Sequence, residues 1–121
     1  MGYINHHAIV VTSSEYALIS AAHADAEGRF GPLTSPLLLS PFNRYLSFFI
    51  APDGSKEGWP ESDAGDAKRT AFLDYLDTLA YEDGSNSVQF VEIAYDDDYQ
   101  NRVTRTNRRT GEAFEESEEA P

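Results

Sequence analysis

Residues 3–12, YINHHAIVVT, set Ile9, Val10 and Val11 side by side in a β-branched run with no turn residue after Asn5. Successive side chains of a strand leave opposite faces, so three consecutive apolar residues demand cover on both. The segment therefore reads as a central strand, with His7, Ile9 and Val11 toward one face and His6, Ala8 and Val10 toward the other. The chain of 121 residues, 40% apolar with seven Phe and seven Tyr, suffices for one domain with a real core. It has no cysteine, which removes disulfides, thiolate zinc sites and thiol nucleophiles together.

Around that strand the pattern alternates. Thr12-Ser13-Ser14-Glu15 fits a capping box, opening a helix expected to reach about Glu27, with Leu18, Ala21, Ala22 and Asp25 on one face and Gly28 to end it. Residues 31–42 hold three prolines and are expected as an ordered loop with its leucines laid on the domain. Residues 45–51 (YLSFFIA) read as a strand, Pro52-Asp53-Gly54 as a turn, and residues 55–59 as a short strand completing a hairpin. A second helix opens near Pro60, with Ser62 the expected cap and Ala67, Ala71, Phe72, Tyr75, Leu76 and Leu79 its apolar stripe. Residues 88–94 alternate as a strand, with Val88, Phe90 and Glu92 on one face and Gln89, Val91 and Ile93 on the other; residues 102–106 follow as an edge strand. This succession predicts an α+β, ferredoxin-like βαββαβ domain over residues 1–107: an antiparallel sheet, two helices on one face and an extra edge strand. Residues 108–121 lack periodicity and are expected to form an acidic, disordered tail, which can fold back on Arg102, Arg105, Arg108 and Arg109.

Charge sets the functional expectation. The formal net charge is −12, and thirteen of 21 carboxylates fall within residues 51–100 against three basic side chains there. Coulomb repulsion argues against direct binding to nucleic acid or an anionic membrane and permits a basic protein partner. The N-terminus lacks a signal-peptide pattern, and no run approaches the ~18 apolar residues of a membrane span, so a cytoplasmic protein is expected. The candidate partner-binding face comprises Asp63, Asp66, Asp74, Asp77, Glu82, Asp83, Asp96, Asp97 and Asp98. Glu82 and Asp83 follow a helix C-terminus, where the dipole disfavours negative charge by ~0.3–1 kcal/mol each, which hints that charge is wanted there. Carboxylates spread in this way can imitate phosphates and occupy the channel of a nucleic-acid-processing enzyme.

Other chemistry is thinly represented. His6 and His7 are adjacent on a strand and cannot chelate one metal together; a site needs distant partners such as His23 or Asp96. Asp96-Asp97-Asp98 lacks the glycine and terminal glutamate of a calcium loop, with Asn107 at the twelfth position. No phosphate-binding glycine motif is present, so neither metal nor cofactor is expected. Two alternatives stay open: a small-ligand-binding homo-oligomer with a pocket built from His6, His7, Tyr45 and Trp59, and a small metal-dependent hydrolase using a histidine with Asp96–Asp98.

Residues 3–13 (YINHHAIVVTS), 44–59 (RYLSFFIAPDGSKEGW) and 62–72 (SDAGDAKRTAF) resemble small proteins encoded by phages and prophages of GC-rich bacteria. The resemblance spans about a third of the chain and carries no activity or site residue with it. It implies a context: a small, acidic accessory protein that binds a host or defence component; with the charge argument, the expected partner is a basic host protein or nucleic-acid-processing enzyme.

Overall fold

The computed structural model describes residues 4–56, 58–98 and 100–108. The expected tail, apart from Arg108, lies outside the described residues, as does Tyr3 of the expected first strand. The elements are β1 (Asn5–Ser13), α1 (Tyr16–Phe30), β2 (Leu38–Leu39), β3 (Leu46–Ile50), α2 (Pro60–Asp77), β4 (Gln89–Asp96) and β5 (Asn101–Thr106). The fold is α+β: all five strands form one antiparallel sheet, ordered β2-β3-β1-β4-β5. Among the described residues no helix is long and apolar enough to cross a membrane.

β1 is central, as its apolar run requires. Its register sets Ile9 opposite Ile50 and Glu92, and Val11 opposite Phe48 and Phe90. These side chains, with Val88, face the helices. The apolar ones among them, Ile9, Val11, Phe48, Ile50, Val88 and Phe90, form one core cluster with Ile19, Ala22 and Ala26 of α1 and Phe72, Leu73 and Leu76 of α2. Phe30 meets Phe72 edge-on at 5.6 Å, fastening the end of α1 to α2. The other sheet face is less covered than three consecutive apolar residues suggest: Ala8 is buried, but Val10 is 39% exposed.

The strand succession is not the clean one expected. Among the described residues of 55–59 there is no strand; Lys56 forms an isolated bridge to Ile4. The edge of β3 that a hairpin return needs is already taken by the proline-rich segment. Ala51 N–H bonds Leu33 O at 2.9 Å, Ser35 N–H bonds Phe49 O at 2.8 Å, and Leu38–Leu39 pair with Leu46 and Ser47. Three prolines leave room for two paired residues there, and those residues are β2.

Helix boundaries also shift. The capping box does not form, because β1 continues to Ser13, which is buried and takes the Glu15 N–H on its Oγ at 3.0 Å. α1 runs through Gly28 and stops at Gly31, whose φ of 58° returns its N–H to Glu27 O. α2 begins at Pro60, with Trp59 as N-cap rather than Ser62, which is buried. Its buried face is Gly65, Arg69, Phe72, Leu73 and Leu76, so Ala67 and Ala71 stand exposed and the stripe is rotated from the expected one. Its C-terminus is closed by Asn86, whose Nδ2 donates to Leu76 O while Oδ1 accepts the Val88 N–H, each at 2.9 Å.

Candidate functional site

The acidic residues divide among three settings. Asp74 and Asp77, three apart on α2, both reach Arg105 of β5 at 2.8 Å, and Asp77 Oδ1 also accepts the Arg108 N–H at 3.0 Å. Burial works against the Arg105 cation, but hydrogen bonds and charge from Asp77 and Asp74 outweigh it and hold its pKa above the ordinary value. Asp66 is tied to Arg69. Three of the nine candidate acids are thus matched within the fold.

Turn chemistry employs others. Asp83 Oδ1 accepts the N–H and hydroxyl of Ser85 at 2.9 and 2.7 Å, and Asp53 holds Ser55 with the same two distances. Asp-Gly-Ser thus occurs twice with one geometry, and Gly54 and Gly84 both take positive φ. The acid after α2 has a local backbone reason to be there, which weakens the dipole argument for it. Asp96 likewise accepts the N–H groups of Asp98 and Gln100, shaping the β4–β5 turn. Asp97 and Asp98 are exposed on that turn, with His6 Nε2 3.9 Å from Asp97 Oδ1. Asp63, in the first turn of α2, and Glu82 are exposed and make no ion pair with any described residue.

Topology sorts these positions by height. β3 ends, and α2 begins, at the end of the sheet where β1 starts; Asn5 there faces Asp96. Asp63 and Asp96 to Asp98 therefore share one end, which also carries Lys56 and Arg102. Glu82 and Asp83 lie beyond the far end of α2, an 18-residue helix, or ~27 Å along its axis. The nine acids do not form one continuous face.

Beneath α2 lies a cluster the acidic pattern does not announce. Arg69 is 7% exposed and faces three carboxylates: its Nε is 3.3 Å from Glu92 Oε2, Nη1 is 3.7 Å from Asp53 Oδ2, and Nη2 meets Asp66. His7 Nδ1 stands 3.8 Å from the same Glu92 oxygen. Gly65 makes the approach of Asp53 possible, since a Cβ at that position would lie 2.5 Å from Asp53 Oδ2. Burial tends to raise the Asp53 pKa; the Ser55 hydrogen bonds and the charges of Arg69 and His7 outweigh it and hold the carboxyl below its usual range. A cleft of about 290 Å³ opens over this cluster, lined by Asn5, His7, Asp66, Arg69, Thr70, Glu92 and Arg102. Arg69, saturated by carboxylates, serves to hold α2 against β4. The signal for it was present: Arg69 falls in line with Phe72, Leu73 and Leu76 at helical spacing, and a cation in an apolar stripe implies buried partners.

The alternative pocket residues are dispersed within one copy of the chain. His6 lies on the open sheet face, its ring 5.0 Å from that of Tyr95, while His7 faces α2. Tyr45 precedes β3, whereas Trp59 caps α2 past the other end of β3, with Lys56 Nζ 5.3 Å above its ring. His23 on α1 meets Ser35 O at 2.7 Å and Phe48 edge-on, away from Asp96. Among the described residues no group of three or more His, Cys, Asp or Glu is arranged to hold a metal ion. Compared with protein-family models, curated proteins and solved structures, the chain matches none.

Proposed function

We propose that this protein is a non-enzymatic interaction module that engages a basic partner through its acidic end, Asp63 with Asp96, Asp97 and Asp98. The observation that carries the reading is the β4–β5 turn: Asp96 is spent on backbone N–H groups, and this fixes Asp97 and Asp98 outward in a defined geometry. Fixed, exposed like charges are maintained against their mutual repulsion, and a cationic surface relieves that repulsion. Glu82 and Asp83 form a second, separate acidic position. The sharp form of the proposal is a nucleic-acid mimic that inhibits a host nucleic-acid-processing or defence enzyme, consistent with the resemblance to phage and prophage accessory proteins. The fold is read as ferredoxin-like: β2-β3-β1-β4 is the order of a split βαβ frame, with a two-residue second strand and β5 added beside β4.

The test is capture from a bacterial lysate, followed by salt titration of the complex with wild type and with Asp97→Asn/Asp98→Asn. A basic partner whose affinity falls steeply with salt and at least ten-fold in the variant supports the proposal. Affinity indifferent to both overturns it.

A further inference from the structure

The face of the sheet turned away from the helices carries two apolar rows. One runs Phe49, Val10, Val91 across β3, β1 and β4; the next runs Ala8, Ile93, Val103 across β1, β4 and β5. Phe49 is 41% exposed, Val10 39% and Val103 60%. Polar rows border them: Ser47, Thr12 and Gln89 on one side, and His6, Tyr95 and Asn101 on the other. None of these residues is Asp, Glu, Lys or Arg, in a chain 25% charged. An apolar centre with an uncharged polar border is the anatomy of an interface rather than of a solvated surface.

We propose that a second copy of this chain covers this face, the two sheets stacking about a two-fold axis that runs along β1. Charge selects the occupant. A cationic partner drawn by the net −12 would bury its charges here without counterparts, whereas another copy brings the same neutral surface. Area agrees. The strands, two to nine residues long, at ~3.4 Å per residue and ~4.8 Å apart present about 500 Å² in projection, and side-chain relief brings this toward the ~800 Å² per partner of a standard interface. Shape agrees as well. An axis along the central strand lays the β3 side of one copy over the β4–β5 side of the other. Because such an axis keeps each residue's height along the strands, Phe49 falls over the second copy's Val91, and Ser47 over its Gln89, apolar on apolar and polar on polar. Every such contact occurs twice. This inference does not rest on the acidic end.

Sedimentation velocity on the full chain over roughly 1–100 μM, the range in which a micromolar interface populates its dimer, tests it. Because two anionic copies repel, raising NaCl from ~0.05 to ~1 M, where the Debye length is ~3 Å, should tighten the dimer at least ten-fold. Val10→Glu and Val103→Glu should each weaken it at least ten-fold while the far-UV circular dichroism is unchanged. Val103 is exposed on an outer strand and accepts glutamate without touching the core, so it decides the matter if Val10→Glu fails to fold. A monomer throughout, a dimer that salt disperses, or a dimer indifferent to Val103→Glu overturns the proposal.

Discussion

Replacing Arg69 with methionine removes the charge that three carboxylates share while keeping much of the stem's packing. The Arg69 side chain is 9% exposed, and its strongest buried partner, Glu92, has a side chain 12% exposed at 3.3 Å. A unit-charge pair at that distance is worth roughly 5 kcal/mol at an effective dielectric of 20, before desolvation is subtracted. Breaking a buried pair from one side costs about 3–5 kcal/mol, because the remaining charge stays buried. Asp66 is half exposed and adds little, and Asp53, with a third of its side chain exposed, adds less than Glu92. The expected loss is therefore ~3 kcal/mol, at the low end of that range. With a urea slope of ~1.5 kcal/mol per M, the unfolding midpoint should fall by ~2 M. Combining Arg69→Met with Glu92→Gln leaves no buried charge stranded there, so the double variant should lose ~1.5 kcal/mol less than the sum of the single changes. Urea titrations at pH 7, followed by circular dichroism and by the fluorescence of Trp59, measure all four corners of the cycle. A midpoint shift under ~0.3 M for Arg69→Met, or strict additivity, would refute the view that this cluster fastens α2 to the sheet.

Two further outcomes follow from the same corner of the structure. Gly65→Ala should destabilise the wild type, because the new Cβ displaces the Asp53 carboxylate. In an Asp53→Ala background that obstacle is gone and only Arg69 Nη1, at 3.3 Å, must yield; as the end of a flexible side chain relieved of its Asp53 partner it can, so the same change should stabilise by ~0.5–1 kcal/mol through helix propensity; urea midpoints read the change of sign. Asp53 has a folded-state pKa below its ordinary 3.8, so its contribution to stability is present above that value and is lost as pH falls through the lower, folded-state one. Thermal melts between pH 5 and pH 2 should accordingly show a shallower acid loss in Asp53→Asn than in the wild type.

Much of the scaffold was legible from local pattern. Ile9-Val10-Val11 marked the central strand, the alternation through Val88, Phe90 and Glu92 gave the correct inward face of β4, and Phe72 and Leu76 marked α2. Misreadings arose where a partner distant in sequence decides the outcome. Pro52-Asp53-Gly54 has turn chemistry suited to a hairpin that residues 55–59 would complete, but residues 33–39 already occupy the outer edge of β3. The α2 stripe was rotated because alanine is indifferent to exposure, while Arg69 looks polar until Glu92 and Asp53 are placed beside it. The acidic pattern predicted charge density correctly but not its internal matching: Arg105 comes 28 residues after Asp77 and meets it across the β5–α2 contact.

The two edges of the sheet bear on how this protein avoids polymerising. On one side β2 offers only two paired residues. On the other, β5 carries the exposed Arg102, and its pairing with β4 slips at Glu92/Ile93, bending the ladder. Shortness, an exposed cation and a bulge are three devices that deny an incoming strand a straight template of free N–H and C=O groups. Lateral growth from copy to copy is thereby discouraged at both ends, and any assembly that uses the apolar face closes at two sheets rather than extending into a ribbon.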